Sequence, residues 1–296
     1  MRYYRVRDEA GEIHQTVEVD GGRLASLTSG NGEVRDFRDL LRASDISGRS
    51  VDEITRHLLA RGSLRQFGLD EVVASSKTGH GCRLLRPADP DEMWAGGIGN
   101  YPMPAEAVQK MPEGTRVAYE SDRPSFAYKG TASRLAGPFD PIGARSDVDR
   151  TIAEGELVLI VYKGRLVGYS TGIEAAGALV GKSMWWMVPS KVFKGCASLG
   201  PCIVTPESLP NPVHLQIELT VTRKGQEVAK VKSVTTLRRS PEDQVRWAVE
   251  HDSPPDLAAI WSGGCVAAIQ SPLQAGDRVR VSTEGIGFVD NPVEQV

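Results

Sequence analysis

Glu154 and Glu156 stand two residues apart at the head of an apolar run, Leu157 to Tyr162. Side chains at i and i+2 of a strand leave the same face. If the run is a strand, two carboxylates meet at one point beside leucine, valine and isoleucine. Two negative charges held together repel unless a cation stands between them. A hard divalent ion with oxygen ligands, Mg²⁺ or Ca²⁺, meets that need. A second strand is expected over Leu166 to Thr171, running into Gly172-Ile173-Glu174, so a third carboxylate at a strand end completes an all-oxygen set. A plainer reading stands beside this one: Glu154 and Glu156 as solvent-facing residues of an edge strand.

The chain has 296 residues and a formal net charge of −3. That length buries a sizeable core in one large domain or two. A near-neutral chain with no basic block argues against nucleic acid as its main partner. No apolar run is long enough to span a bilayer. The opening MRYYRVRDE lacks the apolar segment of a signal peptide. The expected setting is the cytoplasm, with a small molecule as ligand and no membrane partner. Cys82, Cys196, Cys202 and Cys265 lack the paired short spacing of a zinc site and read as reduced structural thiols.

Taken in order, the first 30 residues carry three short strand signals, around Tyr3–Val6, Ile13–Val19 and Arg23–Thr28, with turns at Gly11, Gly21 and Gly22. Residues 33–43 have Val34, Phe37, Leu40 and Leu41 at helical spacing. Ser50 with Glu53 three on predicts a capping box opening a second helix. His57 reads as structural and His80 as a solvated loop residue. The polar, glycine-bearing stretch 75–81 is read as a linker. The expected organisation is an N-terminal α+β domain over 1–80 and a β-rich domain over 81–296.

Further on, 104–111 looks helical, with Ala105, Val108 and Met111 on one side. Period two puts Ser125 and Lys129 on one strand face. The adjacent Trp185 and Trp186 face opposite sides if extended, so one at most lines a pocket, and packing at a subunit contact is the equal alternative. Residues 223–226 read as a hairpin turn between strands, and 240–250 as a helix opened by Ser240, Pro241 and Glu242.

Several of these pieces match together. The order is Glu154-Gly-Glu156-Leu, then Gly168-Tyr169-x-x-Gly172-Ile-Glu174, then Lys191-Val-Phe193-Lys-Gly195-Cys-Ala-Ser-Leu199-Gly200-Pro201. With Lys129-Gly130, Gly137-Pro138, Gly276-Asp277 and Glu284-Gly285-Ile286-Gly287, this resembles the fumarylacetoacetate hydrolase superfamily, nearest the branch of 2-keto-3-deoxy-arabinonate dehydratases. The resemblance covers about residues 84–296. It implies an α+β chain whose larger domain is a β-rich roll, a homodimer, a Mg²⁺ ion held by Glu154, Glu156 and Glu174, and a 2-oxo acid bound to it through two oxygens. It gives Lys129 and Lys191 catalytic or carboxylate-binding roles. Desolvation near a metal would depress the Lys191 pKa.

Other positions depart from that pattern. Ser125 stands where the dehydratase branch has a proton-transferring glutamate, and a serine hydroxyl is no general base near neutral pH. The loop at Tyr101 lacks the family's substrate-gripping arginines. Ala178, Pro189 and Gly264 replace an arginine, a glutamine and a threonine. Tyr101, Ser125, Trp186 and Gly264 remain the candidate substrate-facing residues. Three readings follow. One is a metal-dependent lyase or hydrolase on a 2-oxo or β-dicarbonyl compound larger or less polar than a sugar acid. The second is a faithful 2-keto-3-deoxy sugar-acid dehydratase. The third is an inactive homologue kept for binding.

Overall fold

The computed structural model describes residues 1–30, 32–178, 187–263, 267–269 and 271–296. In chain order the strands are β1 (Arg2–Arg7), β2 (Ile13–Val19), β3 (Arg23–Ser26), β4 (Gln66–Gly68), β5 (Arg83–Leu85), β6 (Glu92–Gly96), β7 (Phe126–Gly130), β8 (Leu135–Ala136), β9 (Ile142–Ala144), β10 (Thr151–Tyr162), β11 (Arg165–Gly177), β12 (Ala197–Val204), β13 (Gln216–Arg223), β14 (Gln226–Val234), β15 (Leu257–Trp261), β16 (Ala267–Ile269), β17 (Arg278–Thr283) and β18 (Gly287–Gln295). Among the described residues they form two sheets. The larger runs β4-β3-β2-β1-β12-β11-β10-β15-β6-β7, with β5, β8 and β16 attached to it. The smaller runs β14-β13-β17-β18-β9.

The centre of the larger sheet is the long antiparallel pair β10–β11. Its continuous apolar run has a physical reason, since both faces are covered. Leu157, Leu159 and Val161 join one core cluster with Ile217, Leu219, Val279, Val281 and Val289 of the smaller sheet. Val158, Ile160 and Tyr162 join the other, with Tyr3, Leu27, Phe37 and Leu40 from the N-terminal part. Gly155 looks toward the smaller sheet, where a Cβ would meet Val281 at 3.0 Å. The glutamates on either side of it take the opposite face. The alternation that sends Gly155 into the inter-sheet core thus turns both acids away from it.

The N-terminal strands join the same sheet directly. β1 pairs with β12 in the register Arg2↔Val204 and Tyr3↔Ile203. The helix expected over 33–43 begins later and runs Phe37–Ser47, because Asp36 caps it by accepting from the Asp39 amide. The Ser50–Glu53 capping box is present and opens the helix Val51–Leu59. The stretch 75–81 is not wholly loop: its first four residues are the end of helix Leu69–Thr78, and Gly79 ends the helix at positive φ. Ser76 is buried there, its hydroxyl donating to the Val72 carbonyl and accepting the Leu84 amide. His57 and His80 are exposed. The 223–226 turn and the helix Pro241–Val249, capped by Ser240, lie where expected. Cys196 and Cys202 are buried and Cys82 is half-buried, all as free thiols. Among the described residues no helix is long and apolar enough to cross a membrane.

Candidate active site

Register brings the three acids together. Glu154 is the direct cross-strand partner of Glu174, and Glu156 of Gly172. One ligand atom from each of Glu154, Glu156 and Glu174 lies within 4.8 Å of the others. Glu156 and Glu174 are buried and Glu154 is half-buried. None is a surface residue of an edge strand, since β10 has β11 on one side and β15 and β16 on the other.

Two ammonium groups converge on one carboxylate oxygen. Lys191 Nζ, at the end of helix Met187–Lys191, lies 2.5 Å from Glu174 Oε1. Lys129 Nζ lies 3.3 Å from the same oxygen and donates to the Ala175 carbonyl at 2.9 Å. The two lysines differ in access. Lys129 is fully buried, whereas the Lys191 side chain is 22% exposed. An ion pair through Glu174 and a shared acidic site therefore coexist here.

The protonation pattern follows from this crowding. Burial, and then the neighbouring Glu174 charge, push Glu154 up to about 7. Burial and the charges of Glu174 and Glu154 push Glu156 upward too. Burial acts on Glu174 in the same sense, but Lys191 and Lys129 overcome it and bring it down to about 2. Lys191 reverses the sequence expectation of a depressed pKa. Burial does pull it down, yet Glu174, Glu154 and Glu156 together outweigh that and raise it.

The backbone explains the glycines between the acids. At Gly172 a Cβ would come within 2.2 Å of the Ser198 carbonyl and 2.8 Å of Trp261 Nε1. Only glycine lets β11, β12 and the indole close up beneath the acids. Residues 262 and 263 belong to the site and escaped the sequence reading. The Gly263 amide donates to Glu156 Oε2 at 2.7 Å. Gly263 holds φ +61°, where a Cβ would strike the Gly96 carbonyl. The one sequence signal was the Gly263-Gly264 pair after an apolar strand.

Among the described residues, Glu156 Oε1, Trp261 Nε1 and Ser262 Oγ are buried with no hydrogen-bond partner. Orphaned buried polar atoms are uncommon, and such a carboxylate oxygen calls for a cation. The donor set, three carboxylates with an unpaired buried oxygen, fits a hard divalent ion.

The remaining candidates fall in different places. Ser125 is exposed, while Lys129 is buried, so they do not share a face as period two suggested. The register shifts between Met93↔Gly130 and Trp94↔Tyr128, leaving Lys129 as the extra residue of a bulge. Ser125 opens instead into a cleft of about 600 Å³ walled by Trp94, Val117, Phe126 and Trp247. Tyr101 is half-buried just after the 3-10 turn Ile98–Asn100. Ala178 follows β11, and the Pro189 carbonyl accepts from Arg145 at 2.8 Å. Trp185, Trp186, Gly264 and Cys265 lie outside the described residues.

Comparison with known proteins gives concordant results. The model of the fumarylacetoacetate (FAA) hydrolase C-terminal family matches residues 95–294. A probable 2-keto-3-deoxyxylonate dehydratase of Haloferax volcanii is 32% identical over 302 residues, covering 100% of both chains. A 2-dehydro-3-deoxy-D-arabinonate dehydratase of Saccharolobus solfataricus is 31% identical over 225 residues, covering 72% of this chain and 75% of its own. In fold, the solved structure of 2-keto-3-deoxy-D-arabinonate dehydratase complexed with magnesium and 2,5-dioxopentanoate matches with a TM-score of 0.80 at 23% identity, covering 100% of this chain and 99% of that one.

Proposed function

The chain belongs to the fumarylacetoacetate hydrolase family, and on that premise we propose that it is a Mg²⁺-dependent dehydratase of a 2-keto-3-deoxy sugar acid. The observation that carries this is the Glu154–Glu156–Glu174 cluster, with Glu156 Oε1 unpaired among the described residues and two lysines behind Glu174. The two dehydratases similar to the chain at above 30% identity support the substrate class.

Glu154, Glu156 and Glu174 would hold the ion. When bound, it supplies Lewis-acid polarisation of the 2-oxo group, which acidifies the neighbouring carbon-bound proton. The chain's own residues do the rest. The Gly263 amide fixes the Glu156 carboxylate. Lys129, buried and tied to the Ala175 carbonyl, is a positioning residue that holds Glu174 in place. Lys191, the more accessible ammonium, is the one assigned to the substrate carboxylate or to proton movement.

The test is loss of water from 2-keto-3-deoxypentonates, followed by appearance of the aldehyde product with and without Mg²⁺. Turnover that stops with a chelator and in Glu156→Gln is the expected result. A second reading, a larger or less polar 2-oxo or β-dicarbonyl substrate, rests on Ser125, which stands exposed in a cleft apart from the acids where the dehydratase branch has a proton-transferring glutamate. It takes over if pentonates are inert while acylpyruvates or similar dicarbonyls are cleaved.

A further inference from the structure

We propose that a second cleft, sharing no residue with the carboxylate site, binds the phosphate group of a small phosphorylated ligand. The cleft has a volume of about 520 Å³ and is walled by the β1–β5 pair, the last turn of helix Leu69–Thr78, and residues around Phe139, Arg278 and Pro292. That volume suits a small molecule rather than a macromolecular surface. Six cationic side chains line it, Arg5, Arg7, Lys77, Arg83, Arg86 and Arg278, against the carboxylates of Asp89 and Asp140. In a chain with a net charge of −3, this is a strong local reversal of sign.

Half of that positive charge is already used. Asp89 pairs with both Arg5 and Arg86. Arg278 pairs with Asp290 at 3.1 Å, and Asp140 accepts the Gly137 amide at 3.0 Å. Arg7, Lys77 and Arg83 have no ion-pair partner among the described residues, and Lys77 rests over the Phe288 ring at 5.7 Å. Arg7 and Arg83 are direct cross-strand partners. Their side chains leave the same face, and like charges directly opposite one another destabilise a sheet. An anion between them relieves that repulsion.

Three uncompensated cations suit a phosphate, with its three terminal oxygens and near-double charge, better than a single carboxylate. The last turn of helix Leu69–Thr78 supplies Lys77 to this cluster. A cleft of about 520 Å³ is larger than a phosphate ion and leaves room for the group the phosphate esterifies, so a pentose phosphate is the small probe of that class. Free phosphate shares the same charge chemistry.

Calorimetry at fixed ionic strength would use ribose 5-phosphate, inorganic phosphate and ribose as probes, on the wild-type chain and on Arg7→Gln/Arg83→Gln. Either phosphate probe is expected to bind and ribose not to, with the double variant at least tenfold weaker. Tighter binding of ribose 5-phosphate assigns the site to the ester, and equal binding assigns it to free phosphate. Without any phosphate, the double variant should melt no lower than wild type, because it has lost a repulsion. Failure of both probes to bind at millimolar concentration overturns the proposal. So does binding indifferent to Arg7 and Arg83, or binding lost in Glu156→Gln, which would place the anion at the acidic site instead.

Discussion

At the scale of single residues, the site is defined by atoms that lack something. Among the described residues Glu156 Oε1 is buried with no partner, and its other oxygen accepts the Gly263 amide. Replacing Glu154 and Glu156 together with glutamine removes two of three anionic ligands. Mg²⁺ affinity, read by calorimetry, should fall by more than about 100-fold, beyond the 10–100-fold cost of losing an outer-shell partner. Unchanged affinity would leave the acids a purely structural cluster. Glycine positions make the second residue-scale prediction. Gly155→Ala places a methyl 3.0 Å from Val281 Cγ2, a flexible neighbour, and should cost about 1–3 kcal/mol in a denaturant melt. Gly172→Ala meets the rigid Ser198 carbonyl at 2.2 Å and should cost more than Gly155→Ala. A reversed order would mean that the β11–β12 contact yields more easily than the inter-sheet core.

At the scale of elements, caps and turn anchors are what the sequence shows most clearly. Ser50→Ala removes the hydroxyl that accepts the Glu53 amide, one half of the capping box on helix Val51–Leu59, and should cost about 1 kcal/mol. Asp277 anchors the turn into β17. It is buried, accepts from Arg223 Nε at 2.7 Å and Nη2 at 2.9 Å, and takes the Gln274 amide at 2.9 Å. Burial works to raise its pKa, but the Arg223 and Gln274 contacts prevail and hold it below the usual aspartate value. A carboxyl lowered in the folded state stabilises above its unfolded pKa and loses that contribution as pH falls through the folded one. Asp277→Asn should therefore cost about 1–2 kcal/mol at neutral pH. Its stability should fall less steeply than wild type below about pH 4. Parallel acid limbs in urea titrations of the two proteins would refute the assignment.

At the scale of the molecule, the N-terminal part and the acid-bearing strands share one sheet. Val158, Ile160, Leu199 and Ile203 pack against Tyr3, Val17, Leu27, Phe37 and Leu40. A chain starting at residue 81 would expose that face and leave β12 without β1. It is expected to show no cooperative thermal transition, and a sharp melt close to that of the whole chain would contradict this.

What the sequence determined by itself was local chemistry. Two acids at i and i+2 before an apolar run had to share a strand face, Ser50 with Glu53 had to cap, and Lys224-Gly225 had to turn. These are short-range consequences of backbone geometry, and the motif order carried the family with them. What only the tertiary structure decided came from register and burial. It set Glu154 opposite Glu174 and brought Gly263 onto Glu156. It broke the alternation at Lys129 with a bulge. It reversed the Lys191 pKa, because the size of a charge–charge interaction depends on distances the chain fixes only when distant strands pair. The arginines of β1 and β5 are far apart in sequence, and nothing in either segment announces the other. Only the pairing of Arg7 with Arg83 makes them a cleft.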